Sequence, residues 1–130
     1  MMRFYIILLV LLCTACPRNT SLDISGQDWQ LSRWTAGQLP QDITITATFA
    51  DGRLSGKAVC NQYFADAAVQ KDSVLIKTVG ATKMLCPEHA DIERQYLKYL
   101  QRASAYKINK DELALQCGKA TLFFSPVPTE

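Results

Sequence analysis

The chain has 130 residues and a mass of 14.5 kDa, room for one domain. With 14 Lys and Arg against 12 Asp and Glu, the net charge of +2 offers no field for nucleic acid, and a hydrophobic fraction of 48% excludes a disordered chain. The single histidine, His89, argues against most hydrolytic triads and most zinc sites, and no phosphate loop or metal-ligand spacing is present, so no cofactor is expected.

The N-terminus reads as an export signal. Met1-Met2-Arg3 is a short positive start, and Phe4 to Leu12 is an uninterrupted apolar run. A membrane-spanning helix needs about 17–25 apolar residues, more than this run supplies. Small residues then lead to Cys16, the layout of a cleaved secretory signal. Cys13-Thr14-Ala15-Cys16 resembles a bacterial lipobox, with Cys13 where Leu is usual. The expectation is a lipoprotein signal peptide over 1–15, then a lipidated Cys16 and short tether over 16–21, with plain cleavage by the ordinary signal peptidase as the alternative that Cys13 leaves open. The partner would then be a membrane, held through acyl chains on Cys16. Pro17 after the cysteine points to the outer membrane, with the domain facing the periplasm.

The predicted elements follow in order. Asp28 to Trp34 reads as a strand with Trp29 and Leu31 on one face. Asp42 to Ala50 alternates most clearly, with Ile43, Ile45, Ala47 and Phe49 inward. Asp51-Gly52 makes a tight turn, and Arg53 to Asn61 returns with Leu54, Gly56, Ala58 and Cys60 on one face. Tyr63 to Val69 and Val74 to Val79 form a second hairpin. Glu88 to Ala103 is the one clear helix. Ile92, Tyr96, Tyr99, Leu100 and Ala103 share an arc opposite Arg94, Lys98, Gln101 and Arg102. Pro87 suits its first position, and Cys86 its N-cap. Strands over Ala105 to Asn109, Glu112 to Cys117 and Ala120 to Phe124 complete the chain, joined by turns at Lys110-Asp111 and Gly118-Lys119. Short connections require antiparallel pairing. The predicted fold is α+β, an antiparallel curled sheet or partial barrel of seven to eight strands packed on one amphipathic helix.

Several stretches together resemble the META domain, the domain of HslJ-type lipoproteins. They are Leu22…Trp29-Gln30-Leu31, Phe49-Ala50-Asp51-Gly52-Arg53-Leu54-Ser55-Gly56, Cys60-Asn61-Gln62-Tyr63 and Thr82-Lys83-Met84-Leu85-Cys86. Glu93 stands where that family places a helix Glu, and Leu113-Ala114-Leu115 with Leu122-Phe123-Phe124 matches its closing hairpin. Ala65 and Ala67 stand where the family usually has Gly and an aromatic, and Cys117 lies outside its pattern. The resemblance assigns 22–126 to a META-like domain. It implies an envelope protein linked to stress or drug tolerance, with no established catalytic activity or cofactor.

Three constellations hold the candidate chemistry. After signal removal and lipidation of Cys16, Cys60, Cys86 and Cys117 remain. A Cys60–Cys86 disulfide is expected in an oxidising compartment, worth roughly 3.5 kcal/mol in the chain-entropy model, and it leaves Cys117 as a free thiol. Cys117 replacing either partner is the alternative. Cys86 at a helix start beside His89 is the raw material of a thiol enzyme, but the sequence supplies neither an orienting acid nor oxyanion donors. Asn61, Tyr63 and Thr82 are the candidate ligand or motif contacts. Asn61 also reads as a turn residue bonding its own backbone. Of the aromatics, Trp34 and Tyr99 are expected to be exposed, Trp34 because it alternates away from Trp29. The functional expectation is a non-enzymatic binding or structural module with an envelope protein as partner. The alternative is a carrier of a small apolar ligand, in room left by Ala47, Gly56 and Ala58 between sheet and helix.

Overall fold

The structure is a computed structural model that describes residues 23–128. The segments expected to be signal peptide and tether, with Cys16 and Leu22, lie outside the described residues.

Eight strands follow one another around a nearly closed antiparallel barrel. They are β1 (Asp28–Trp34), β2 (Thr46–Ala50), β3 (Arg53–Lys57), β4 (Gln62–Val69), β5 (Val74–Ile76), β7 (Ala103–Asn109), β8 (Glu112–Cys117) and β9 (Ala120–Pro126). A two-residue strand, β6 (Gly80–Ala81), pairs with β4, and helix α1 spans Ala90–Leu100. The order around the sheet is β5-β4-β3-β2-β1-β9-β8-β7. Its two ends meet where Ser73 bridges Ala105, the Tyr106 N–H donates to Asp72 O at 3.3 Å, and the Tyr106 hydroxyl donates to Gln70 O at 2.8 Å. The expected α+β curled sheet with one helix is therefore observed.

Local chemistry explains the turns. Asp51 and Gly52 both take positive φ, 53° and 74°, matching the mirror-image turn that follows the twist of a hairpin. That turn sets the register Phe49↔Leu54 and Ala50↔Arg53, which puts Phe49 and Leu54 in the core.

Alternation fails in β1, and the cause is a bulge. Leu31 pairs with Phe124 and Arg33 with Phe123, so Ser32 is an extra residue opposite β9. The phase reverses there. Trp34 returns inward, 7% exposed, and meets Tyr99 edge-on with ring centroids 5.7 Å apart. The expectation of an exposed Trp34 is corrected by that bulge. Phe64 is the aromatic that lies outside, 47% exposed, where its ring covers Gly80.

Element ends also differ. β2 begins at Thr46 and β3 ends at Lys57, although Ile45 and Ala58 stay buried beyond them. The β5 run breaks after Ile76, and β9 continues to Pro126. The helix begins at Ala90 rather than Glu88, after His89 in a left-handed conformation (φ 59°). Pro87 and Cys86 precede it and occupy neither the first helical position nor the N-cap. Residues 82–87 instead run without regular structure, tied sideways to the β3–β4 connection, so the helix cannot start until the chain has turned. At the other end Ala103 leaves the helix to pair with Cys117.

The helix closes one end of the barrel with Tyr96 and Leu100, both fully buried. The interior is filled by Trp29, Phe49, Tyr63, Tyr96 and Phe124, none more than 2% exposed. The small inward residues serve this packing. A Cβ on Gly56 would run into the Thr46 carbonyl and lie 2.9 Å from the Tyr63 hydroxyl. The room expected for a ligand is thus taken by Tyr63 and the β2 backbone. Gly56→Ala should lower stability by about 1–3 kcal/mol through overpacking, measured as the urea midpoint, with the slope unchanged.

Candidate functional site

The signature residues converge on one corner, beneath the start of α1. It joins the β3–β4 connection, the strap 82–87 and the first turn of the helix. Cys60 and Cys86 form a disulfide there, with Cα atoms 6.3 Å apart.

The Glu93 carboxylate organises the corner. Its Oε1 accepts the backbone N–H groups of Cys60 at 3.0 Å and Asn61 at 2.8 Å. Its Oε2 accepts the side-chain amide of Asn61 at 2.8 Å. Asn61, 6% exposed, uses the rest of its amide on the strap. Its Oδ1 accepts from Thr82 Oγ1 at 2.9 Å and from the Met84 N–H at 2.7 Å, and its Nδ2 reaches Met84 O at 3.4 Å. Thr82 Oγ1 in turn accepts the Gln62 N–H at 3.1 Å. Buried polar groups must be paired, and here nearly every donor and acceptor has a partner inside the fold. Burial pushes the Glu93 carboxyl up, but the Asn61 backbone and side-chain donors and the Cys60 N–H outweigh it and hold the group below its ordinary 4.5.

Tyr63 extends the network into the core. Its hydroxyl donates to Thr46 O at 2.6 Å, so the Tyr96 hydroxyl, 2.8 Å away, must donate to Tyr63. Burial raises both phenols far above their usual range, and they stay neutral. The rings meet edge-on with centroids 5.5 Å apart.

The structure thus brings together Cys60, Asn61, Tyr63, Thr82 and Cys86, as the sequence motifs grouped them. Asn61 bonds to helix and strap through its side chain, rather than to its own backbone as a turn residue would. The thiol pairing considered for Cys86 and His89 is not assembled, because Cys86 is bridged and His89 Nε2 lies 3.2 Å from Asp42 Oδ2. Cys117 is free, fully buried under α1, and burial pushes its thiol up to about 12. Among the described residues no group of His, Cys, Asp and Glu could hold a metal, and no helix is long and apolar enough to cross a membrane. Sequence reasoning missed the exposure of Met84 and Leu85, 58% and 97%. The only signal was an apolar pair without periodicity just before Cys86-Pro87.

The Glu93 carboxyl is lowered in the fold, so its stabilisation is full above about 4.5 and is lost as pH falls through the lower folded value. The urea midpoint should therefore drop on acidification below that point. Glu93→Gln should flatten this dependence and cost about 1–3 kcal/mol at neutral pH, because its amide would face the Asn61 donor. Iodoacetamide at about pH 8 should label no cysteine among Cys60, Cys86 and Cys117 in the folded chain, and Cys117 alone after unfolding without reduction.

Comparison with known proteins agrees with this geometry. An NMR structure of a protein from Burkholderia xenovorans is similar, with a TM-score of 0.69 and 25% identity, over 82% of this chain and 85% of that one. A second NMR structure matches with a TM-score of 0.61 and 16% identity, over 76% of this chain and 87% of that one, and shows the fold alone. No curated protein matches. The META domain profile matches residues 22–128, which takes in both cysteine motifs, Glu93 and all the strands. The chain belongs to the META domain family.

Proposed function

We propose that the protein is a non-enzymatic lipoprotein of the bacterial envelope, acting as a binding module in stress or drug tolerance. The observation that carries this reading is the use made of the signature residues. Cys60, Asn61, Thr82, Cys86 and Glu93 spend their chemistry on one another. A nucleophile needs a free thiolate or hydroxyl with a base beside it, and this corner offers a bridged sulfur and an engaged carboxylate instead. A disulfide is also at home in an oxidising envelope rather than in a cytosol. The N-terminal sequence supplies the anchor. Acyl chains on Cys16 would hold the domain by burial of many methylenes, each worth about 0.8 kcal/mol.

The carrier alternative draws no support from the interior, where aromatic side chains occupy the space between sheet and helix. Contact through the outer surface is the remaining mode of action.

The test is an intact mass of the protein extracted from its native membrane with thiols blocked and no reductant. The expected mass lacks Met1 to Ala15, carries acyl chains on Cys16 and has one blocked thiol after denaturation. Cys16→Ala should move the protein out of the membrane fraction. A full-length, unlipidated chain with every thiol blocked would sink the anchor and the compartment together.

A further inference from the structure

The domain has two unlike ends. The chain enters at Asp23, beside the β2–β3 turn: Ser25 bridges Phe49 and the Gly26 N–H donates to Phe49 O. The Lys71-Asp72 and Lys110-Asp111 turns lie at the same end, and Asp23 and Ile24 share a concavity with Lys71, Asp72 and Tyr106. At the opposite end, past Lys57, Gln62 and Cys117, sit α1 and the disulfide corner.

Length separates these ends. The eight residues of β4 span about 26 Å, and the helix laid across the far end adds about 10 Å. The residues from Cys16 to Asp23 reach at most about 25 Å. With the barrel upright, a membrane holding Cys16 would lie at the entry end, away from the helix.

Charge separates them too. The entry end carries Asp23, Asp51, Asp72 and Asp111 against Arg53, Lys71 and Lys110. At the helix end Arg94 and Lys98 are exposed one turn apart on the outward face of α1, with Arg102, Lys57 and Lys83 exposed around them. Two of the four carboxylates there are engaged, Glu93 with Asn61 and Asp42 with His89, while Glu88 and Asp91 are free.

Met84 and Leu85 are exposed on the strap that Asn61 ties to Glu93, the residue before Arg94. A single exposed Leu means little. These two, however, are clamped: Met84 is bonded to Asn61 through both its N–H and its carbonyl, and Cys86 is bridged. A backbone already held in place adds little ordering cost when the pair is covered.

We propose that the helix end docks an acidic segment of an envelope protein, with Met84 and Leu85 seated against its apolar residues and Arg94 and Lys98 against its carboxylates. This rests on the reading of the protein as an anchored binding module. The ridge of Arg94 and Lys98 steers the partner and sets register, while the covered apolar pair supplies the dry centre.

The test places a photoreactive phenylalanine analogue at Leu85 of the full chain in its native cells, with Lys71 as the control position. Mass spectrometry identifies the crosslinked segment. The expected result is a protein adduct from position 85 and none from 71, joined through a segment rich in Asp and Glu. A synthetic peptide of that segment should bind the purified full chain in detergent. Arg94→Glu with Lys98→Glu should weaken it at least about tenfold, added salt should weaken it as well, and Arg94→Lys with Lys98→Arg should restore it. An adduct to lipid, to a second copy of this chain or to a segment without carboxylates would overturn the proposal. So would no adduct, or binding indifferent to charge reversal in variants that melt like the parent. Fractionation of the same cells keeps the two readings apart. A soluble chain that still forms the acidic adduct removes the anchor and keeps the docking surface, and an anchored chain without adduct does the reverse.

Discussion

A single carboxylate holds three separate pieces of chain together. Glu93 on the first turns of α1 accepts N–H groups from Cys60 and Asn61, and Asn61 passes the connection on to Thr82 and Met84. Charge-assisted hydrogen bonds of this kind are stronger than neutral ones, and they are directional. They tell the helix where to begin and the strap 82–87 where to lie. The Cys60–Cys86 bridge then limits how far the same pieces can separate on unfolding. With a sequence separation of 26, the chain-entropy model assigns it about 3.5 kcal/mol. Noncovalent geometry and covalent connection therefore act at the same place, one specifying the corner and the other restricting its alternatives.

The barrel depends on that corner because the helix is its plug. Tyr96, three residues after Glu93 on α1, brings its hydroxyl to Tyr63, and Tyr63 reaches the β2 backbone at Thr46. The polar chain crosses the core without leaving a hydroxyl unpaired, which is the condition for tolerating it there. Gly56 makes it possible by standing aside for the Thr46 carbonyl and the Tyr63 hydroxyl. At the far side of the sheet, the seam between β5 and β7 needs only the Ser73–Ala105 bridge and the Tyr106 hydrogen bonds, since the core already draws the two edges together.

The outer faces differ in how far they are satisfied within the chain. On β9 and β1, Phe123 is covered by the Arg33 guanidinium, 3.5 Å from the ring centre, and Arg33 pairs with Glu112 at 3.1 Å. That face is satisfied within the chain. The helix end is not: it presents free cations and a clamped apolar pair, on the side away from the chain's entry. The elements that make the fold rigid are thus the same ones that present a surface, and binding there would require little rearrangement.

Local chemistry made much of this legible in advance. The bounds of β1 and β8 were readable, and in β8 the alternation of buried and outward side chains holds to its end. The pairing of Cys60 with Cys86 was expected from an oxidising compartment, with Cys117 as an alternative partner, whereas the part Glu93 plays for Asn61 was not read from the chain. Other features had no local signal. The Ser32 bulge returns Trp34 to the core only because β9 offers one residue against two, and nothing within Asp28 to Trp34 shows it. The helix start moved from Glu88 to Ala90 because the strap is tied to Asn61, a partner more than twenty residues away in sequence. The sequence by itself determined most element types, the antiparallel pairing of neighbouring strands and the residue types that meet at the corner, because these rest on periodicity, turn residues and residue identity. Only the tertiary structure decided that Gly56 and its neighbours make room for Tyr63 rather than a ligand, that Cys86 has no thiol to offer, and that Met84 and Leu85 face solvent. Those outcomes depend on which distant segments meet, and a contact between distant segments leaves no period in the chain.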